Sequence, residues 1–138
     1  MEKEVTVISD LENLYHIVYE TGVYLDEGFN IDELSRILNM QTYVISKILR
    51  VDFGISFSDF KNNLRFKYAI IKISEGYLDT HTIDSLAKIC GFKNRAYFSN
   101  VFKLKIGLPI KEISKYRNRY LVDSKNFVYL NQKKIGMF

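Results

Sequence analysis

An all-α fold is what this chain of 138 residues predicts, and three observations carry the prediction. Pro109 is the one proline, whereas a sandwich or barrel needs frequent Gly/Pro turns. Apolar residues recur at spacings of three and four along successive segments. One helical unit occurs twice. With 47% hydrophobic and 26% charged residues, the composition is that of an ordinary soluble globular domain. No run of about 18 apolar residues is present to cross a membrane, and the opening MEKEVTVISD lacks the apolar core of a leader, so a cytoplasmic chain is expected. Cys90 has no second cysteine for a disulfide, and His16 and His81 are too few and too far apart for a structural zinc site; no metal or cofactor is expected. No Gly-rich phosphate loop, nucleophile elbow or HExxH motif occurs, so neither an enzyme nor a small-molecule site is expected.

In chain order, Ser9/Asp10 followed by the stripe Leu11, Leu14, Tyr15 and Val18 predicts an amphipathic helix in an N-terminal extension, residues 1–22. Its acidic face either packs on the domain or meets a partner. Next, IDELSRILNM from Ile31 aligns with IDSLAKICGF from Ile83 at an offset of 52, with identities Ile31/Ile83, Asp32/Asp84, Leu34/Leu86 and Ile37/Ile89. After a one-residue slip the match resumes at an offset of 53, pairing Ile45 with Phe98, Ser46 with Ser99, Leu49 with Phe102 and Gly54 with Gly107. Each copy reads as a short amphipathic helix, a tight turn and a second helix. The second helices bury Val44, Ile45, Ile48 and Leu49, or Tyr97, Phe98, Val101 and Phe102, and turn polar and basic residues outward. Gln41 or Thr42 in the first copy and Asn94 in the second are the expected caps, and Gly54 and Gly107 close the units at positive φ. This is the helix-turn-helix pattern, once over about 31–54 and again over about 82–107.

Between the copies, Phe57 to Glu75 runs without a breaker, with Phe57, Phe60, Leu64, Tyr68 and Ile71 at helical spacing. A helix of that length spans roughly 28 Å, and successive major-groove faces on one side of B-DNA lie ~34 Å apart. The prediction is two helix-turn-helix subdomains joined by a long linker helix, a homeodomain-like tandem able to address two consecutive groove segments as a monomer. Charge follows the same division. Residues 1–30 hold one lysine against seven acids, residues 31–90 eight bases against seven acids, and residues 91–138 eleven bases against two acids, within a net charge of +4. A C-terminal third this basic suits a phosphate backbone. The tail after Leu121 has no clear period, and Phe127, Val128, Tyr129 and Leu130 are its candidates for docking if it is ordered.

Over about residues 23–120 the chain resembles the two-unit DNA-binding domain of the AraC-type transcriptional regulators, in a form similar to its Bacteroidetes branch. The resemblance is most specific in TIDSLAKICGFKNRAYFSNVFKLKIG, where Ile83, Leu86, Ala87, Gly91, Phe92, Tyr97, Phe98, Phe102, Lys103 and Gly107 fall on the second-unit signature. Leu34, Ile45, Gly54, Phe57, Leu64, Arg65 and Ala69 match the first unit and linker. The closing pattern departs from the family's, with Pro109 one position early. The resemblance implies double-stranded DNA as partner, base-edge readers at Tyr43, Ser46 and Lys47 in the first unit and at Arg95, Ala96, Ser99 and Asn100 in the second, and Thr42 at a phosphate. It also implies a fused or partner sensor or dimerisation domain.

Side-chain chemistry fits these positions. Arg95 and Lys47 can donate to guanine, Asn100 can pair with adenine, and the Ala96 methyl suits thymine. Lys93, Lys103 and Lys105 suit phosphates, which fix register without reading sequence. Cys90 reads as a small core residue, His16 and His81 as surface or capping residues, and the phenylalanines as core before stacking platforms. The alternative is a protein-interaction module that retains the fold without binding DNA, motivated by Asn100, where the family usually places an Arg or other long polar residue, and by Ala96, where a polar residue is common.

Overall fold

The computed structural model describes residues 11–115, 120–122, 127–130 and 133–137, and from residue 11 to residue 115 the chain is all-α. Helix α1 spans Leu11–Thr21 and buries Leu14, Tyr15 and Val18, the predicted stripe. The Ser9/Asp10 start lies outside the described residues. A single 3₁₀ turn, Val23–Leu25, leads to α2 (Ile31–Leu38), whose N-cap Asn30 accepts from the Glu33 N–H at 3.1 Å. Helix α3 (Thr42–Lys47) then runs directly into a π-helical turn, Ile48–Asp52. Ser56 caps α4 (Phe57–Ser74), which stops one residue short of the predicted Glu75. A one-turn helix α5 (Tyr77–Thr80), unmarked in the apolar spacing, connects to α6 (Ile83–Ile89), α7 (Arg95–Ile106) and α8 (Ile110–Lys115).

The repeat is visible in backbone detail. Asn39 ends α2 at φ 53 and Gly91 follows α6 at φ 91, so each inter-helix turn passes through the left-handed region at the position 52 residues from its counterpart. In both copies the next residue's N–H bonds back five residues, Met40 to the Ser35 carbonyl at 3.1 Å and Phe92 to the Ala87 carbonyl at 2.9 Å. The Ser35 hydroxyl adds a second bond, to the Met40 carbonyl. Gly54 and Gly107 close the units at φ 69 and φ 85, as their spacing predicts. Two expectations fail locally. Gln41 stands at the N-cap of α3 without a side-chain cap bond, because its oxygen is one methylene further from the backbone than that of Asn94, which does cap α7 by accepting from the Tyr97 N–H at 3.0 Å. Tyr97 is exposed rather than core, its ring held at the rim by a hydrogen bond from Asn62 Nδ2 to its hydroxyl at 2.9 Å.

Two hydrophobic clusters share α4. The first gathers Leu14, Val18, Tyr24, Phe29, Leu34, Ile45 and Leu49 around Phe60 and Leu64. The second gathers Leu86, Phe92, Phe98, Phe102, Ile106 and Ile113 around Phe66, Ala69, Ile70 and Ile73. At about 100° per residue, Phe60 and Leu64 point nearly opposite to Phe66, Ala69 and Ile73. The linker therefore presents one apolar face to each unit and is a shared core element as well as a spacer. In the second cluster Phe92 stacks on Phe66 at 5.3 Å between centroids and meets Phe98 at 5.0 Å, geometry that adds to simple burial.

Beyond α8 the described tail residues form a three-stranded antiparallel meander, β1 (Tyr120–Val122), β2 (Phe127–Leu130) and β3 (Lys133–Met137). Tyr120 lies opposite Leu130 and Phe127 opposite Met137, with an irregularity between Val128 and Tyr129. Strand β1 borders α4 and β3 borders α7. The run Phe127–Leu130, the candidate docking segment, is thus the central strand of the meander, and β1 and β3 flank it.

Candidate nucleic-acid interface

The two sets of base-edge candidates occupy the same positions of the repeat. At an offset of 53, Thr42 corresponds to Arg95, Tyr43 to Ala96, Ser46 to Ser99 and Lys47 to Asn100. At about 100° per residue, the last three of each set share an arc of roughly 100° on the side away from Ile45 and Leu49, or Phe98 and Phe102. The structure leaves these arcs open. Tyr43 is 68% exposed, Lys47, Arg95, Ala96 and Asn100 are exposed, and Thr42, Ser46 and Ser99 are half-buried. Where one unit carries a long side chain the other tends to carry a short one: Tyr43 faces out where Ala96 does, and Arg95 where Thr42 does.

The phosphate candidates divide. Lys103 is exposed on the same arc of α7, whereas Lys105 is half-buried and turned toward the packed side of the helix. Lys93 lies just before α7 and pairs with Glu27 at 3.6 Å, both side chains exposed, a pair of small energetic weight. Among the described residues Lys47, Arg95, Lys103 and Lys105 have no carboxylate within ion-pair distance. Sequence reasoning passed over Arg50, the exposed counterpart of Lys103 at the same offset of 53. That offset was the signal that could have found it.

Electrostatics at the helix starts separates α3 and α7 from α2, α4, α5, α6 and α8. Helices α2, α4, α5, α6 and α8 each carry an acid in the first turn, among them Asp32, Asp59, Asp79, Asp84 and Glu112. Helices α3 and α7 carry none. An acid there neutralises the partial positive charge of the helix N-terminus, and its absence leaves that charge for an outside anion. The last turn of α7 carries Lys103 and Lys105, and that of α3 carries Lys47.

Behind the arcs, α4 holds three buried polar residues, Asn62, Asn63 and Arg65, that position the second unit against the first. Asn62 reaches Tyr97 of α7, and Asn63 Nδ2 donates to the Tyr15 hydroxyl of α1 at 2.8 Å. Arg65 donates from Nε to the Tyr24 carbonyl at 2.6 Å and from Nη2 to the Asp26 carbonyl at 2.8 Å, with its guanidinium 5.3 Å from the Phe92 ring centroid. Burial lowers the Arg65 pKa from its ordinary value, offset in part by Cys90, Asp26 and Glu27. Cys90 is buried in the second core, where desolvation pushes its thiol up to about 12, so it is inert as a nucleophile at neutral pH. His16 and His81 are exposed, and His81 ends α5, stacked on Tyr77 at 4.1 Å. Among the described residues no three His, Cys, Asp or Glu side chains are grouped to hold a metal, and no helix is long and apolar enough to cross a membrane.

These features define a class by architecture, two helix-turn-helix units sharing one linker helix. Solved structures with this fold include a DNA-binding transcriptional dual regulator from Escherichia coli K-12, at 19% identity over 78% of this chain and 92% of that one, TM-score 0.64. The C-terminal domain of the two-component response regulator yesN from Fusobacterium nucleatum is similar at 24% identity over 73% of this chain and 94% of its own, TM-score 0.58. The C-terminal domain of AraT, a response regulator from Geobacillus stearothermophilus, is similar at 17% identity over 73% and 83%, TM-score 0.58. No protein-family model and no curated protein matches the chain. At these identities the likeness establishes a shared fold.

Proposed function

We propose that the chain is a sequence-specific double-stranded DNA-binding module of AraC type that acts in transcriptional regulation, with α3 and α7 entering successive major grooves. The observation that carries this reading is the pairing of four exposed or half-exposed positions on α3 with the same four on α7, at the acid-free ends of those two helices. The N-terminal residues of a second helix are those a helix-turn-helix presents to base edges. The DNA-binding transcriptional dual regulator that shares the fold supports the same partner. In this reading residues 23–120 are the DNA-binding domain, residues 1–22 an extension whose helix completes the first core, and residues 121–138 an added tail. Tyr43, Ser46 and Lys47 read one segment, and Arg95, Ala96, Ser99 and Asn100 read the next. Thr42, Lys93 and Lys103 hold phosphates, Lys105 being turned to the packed side of α7, and a sensor or dimerisation domain acts with the module. Arg95 has the reach for a bidentate contact to guanine, and Lys47 for a single one.

The test is binding of labelled duplex pools, random and promoter-derived, across a salt series, for the wild type, Arg95→Ala and Lys103→Ala. The wild type is expected to bind with a steep salt slope. Arg95→Ala should lose about 1–3 kcal/mol on the preferred sequence and relax preference at one position. Lys103→Ala should weaken all sequences alike and reduce the slope by about one. Absence of binding tighter than about 10⁻⁴ M at low salt overturns the reading, and the protein-interaction module then replaces it.

A further inference from the structure

Where the two units meet, a cleft of about 280 Å³ opens between the segment leading into α2, the first half of α4 and the residues that start α7. Its charged residues are Glu27, Lys61, Arg65 and Lys93, three cations against one acid. Glu27 pairs with Lys93 at 3.6 Å and also lies near enough to act on Arg65. The hydrogen bonds of Arg65 go to backbone carbonyls, which leave its charge in place. Lys61 lies one turn before Arg65 on the same face of α4. Its Nζ stands 5.8 Å from the Phe57 ring centroid, and it has no ion pair among the described residues. Like charges at this spacing repel, and burial together with the charge of Arg65 lowers the Lys61 pKa from its ordinary value. The cleft is therefore a site where two cations are held together in a partly desolvated wall, Arg65 offset in part by Asp26 and Glu27 and Lys61 paired with no carboxylate among the described residues.

Its position says which anion fits. Asn94, the N-cap of α7, lines the cleft, so the cleft adjoins the end of α7 that a helix-turn-helix places in the major groove. When two such helices occupy successive major grooves, the backbone flanking the intervening minor groove has to cross the junction between the units. We infer that this inter-unit cleft seats a phosphate of the DNA backbone between the two groove segments, with Lys61 as the contacting cation and Arg65 as the fixed charge behind it. The inference rests on the reading proposed above and adds to it a sequence-independent contact on the linker itself. That contact belongs to neither recognition helix.

The experiment uses the full chain and the duplex preferred by the wild type. Lys61→Gln should lower the slope of log Kobs against log salt by about 0.9, so that its deficit against wild type shrinks by roughly 3-fold between 50 and 200 mM salt. Its ranking of matched and scrambled duplexes should stay that of the wild type. Lys61→Arg should restore the slope. Duplexes carrying one neutral methylphosphonate at successive positions between the two segments should bind the wild type more weakly at one position, and Lys61→Gln should lose nothing further at that position. Additivity of the two changes, or an unaltered slope in Lys61→Gln while Arg95→Ala still relaxes sequence preference, overturns the cleft and leaves the tandem reading standing. A wild type that binds no duplex overturns both. Inorganic phosphate at constant ionic strength is the remaining arm. Displacement of the Lys61 side-chain resonances by millimolar phosphate without DNA would assign the cleft to a free anion and overturn the inference.

Discussion

The two helix-turn-helix units solve one backbone problem with different residues. Both turns need a left-handed residue between the helices, and the first unit uses Asn39, exposed at φ 53, whereas the second uses Gly91, buried at φ 91. The difference is in what surrounds each turn. A Cβ on Gly91 would stand 2.9 Å from Arg65 Nε and 2.9 Å from the Leu25 carbonyl oxygen, so the second turn is clamped beneath the linker and the segment leading to α2. The first turn faces solvent and needs only the conformation, which Asn tolerates. One turn is held by sterics, the other by the propensity of Asn39 together with the Ser35–Met40 hydrogen bonds.

This contrast gives the largest expected effect. Gly91→Ala combines a left-handed alanine, costing roughly 1–2 kcal/mol, with overpacking that typically costs about 1–3 kcal/mol, a loss of about 2–5 kcal/mol in urea unfolding. Asn39→Ala bears only the first, about 1–2 kcal/mol, and Asn39→Gly should change little. Equal losses at the two positions would break the contrast. The Arg65 side chain would then move aside freely, which its two carbonyl hydrogen bonds argue against.

The units also differ in buried groups that titrate. Desolvation pushes the Tyr15 phenol of the first core up to about 12 from 10.0, and the Cys90 thiol of the second up to about 12 from 9.0. In both cases the folded state keeps a proton that the unfolded chain releases at lower pH. The associated stability is fully present below the unfolded value and is lost as pH rises through the folded one. The thiol has the lower unfolded value, so the second unit is the first to feel alkali. From about pH 9 the stability should begin to fall, toward a limiting slope of about 1.4 kcal/mol per pH unit for each proton. Cys90→Ala should flatten the decline between pH 9 and 10 while leaving the later one from the phenols. Urea midpoints at three pH values read this directly, and an unchanged decline in Cys90→Ala would show that the thiol does not cause it.

How much of this was legible in the sequence depended on whether the signal was local. The repeat, the core positions Leu34/Leu86 and Ile45/Phe98, and the closing glycines were legible, because each unit needs the same residues at the same spacing wherever it occurs in the chain. The linker was half legible. The stripe Phe57, Phe60, Leu64, Tyr68 and Ile71 follows the face turned to the first unit, while Phe66, Ala69, Ile70 and Ile73 are buried on the opposite side. A search for one apolar stripe cannot separate a helix apolar on two faces. Asn62, Asn63 and Arg65, only 3–5% exposed, carry no local signal of burial, since their partners Tyr97, Tyr15 and the Tyr24 carbonyl lie 35 to 48 residues away. The cleft at the unit junction was invisible for the same reason. The four-residue run Phe127–Leu130 was too short to distinguish a strand from a docked coil. Of the candidate interface, the eight paired positions followed from the resemblance and the offset, whereas the carboxylate-free surroundings of Lys47 and Arg95 required the structure.

The smallest expected effect concerns how each second helix starts. Asn94 caps α7 through its bond from the Tyr97 N–H, and Gln41, at the corresponding position 53 residues earlier, makes no such bond. Asn94→Ala should therefore cost about 1 kcal/mol, and Gln41→Ala should stay within about 0.5 kcal/mol of wild type. Gln41→Asn supplies an oxygen at the reach that α7 already uses, so it should stabilise the first unit by a few tenths to about 1 kcal/mol. Thermal unfolding of the three variants under one buffer reads all of these. The asymmetry follows from α3 itself, which has only six residues before the π-helical turn. A cap bond there fixes one donor of a short helix held chiefly by Ile45 and Leu49, whereas in α7 it starts a helix of twelve residues. A stabilisation by Gln41→Asn as large as the loss in Asn94→Ala would mean that the first recognition helix is limited by its start. No stabilisation at all would mean that core packing alone sets its length.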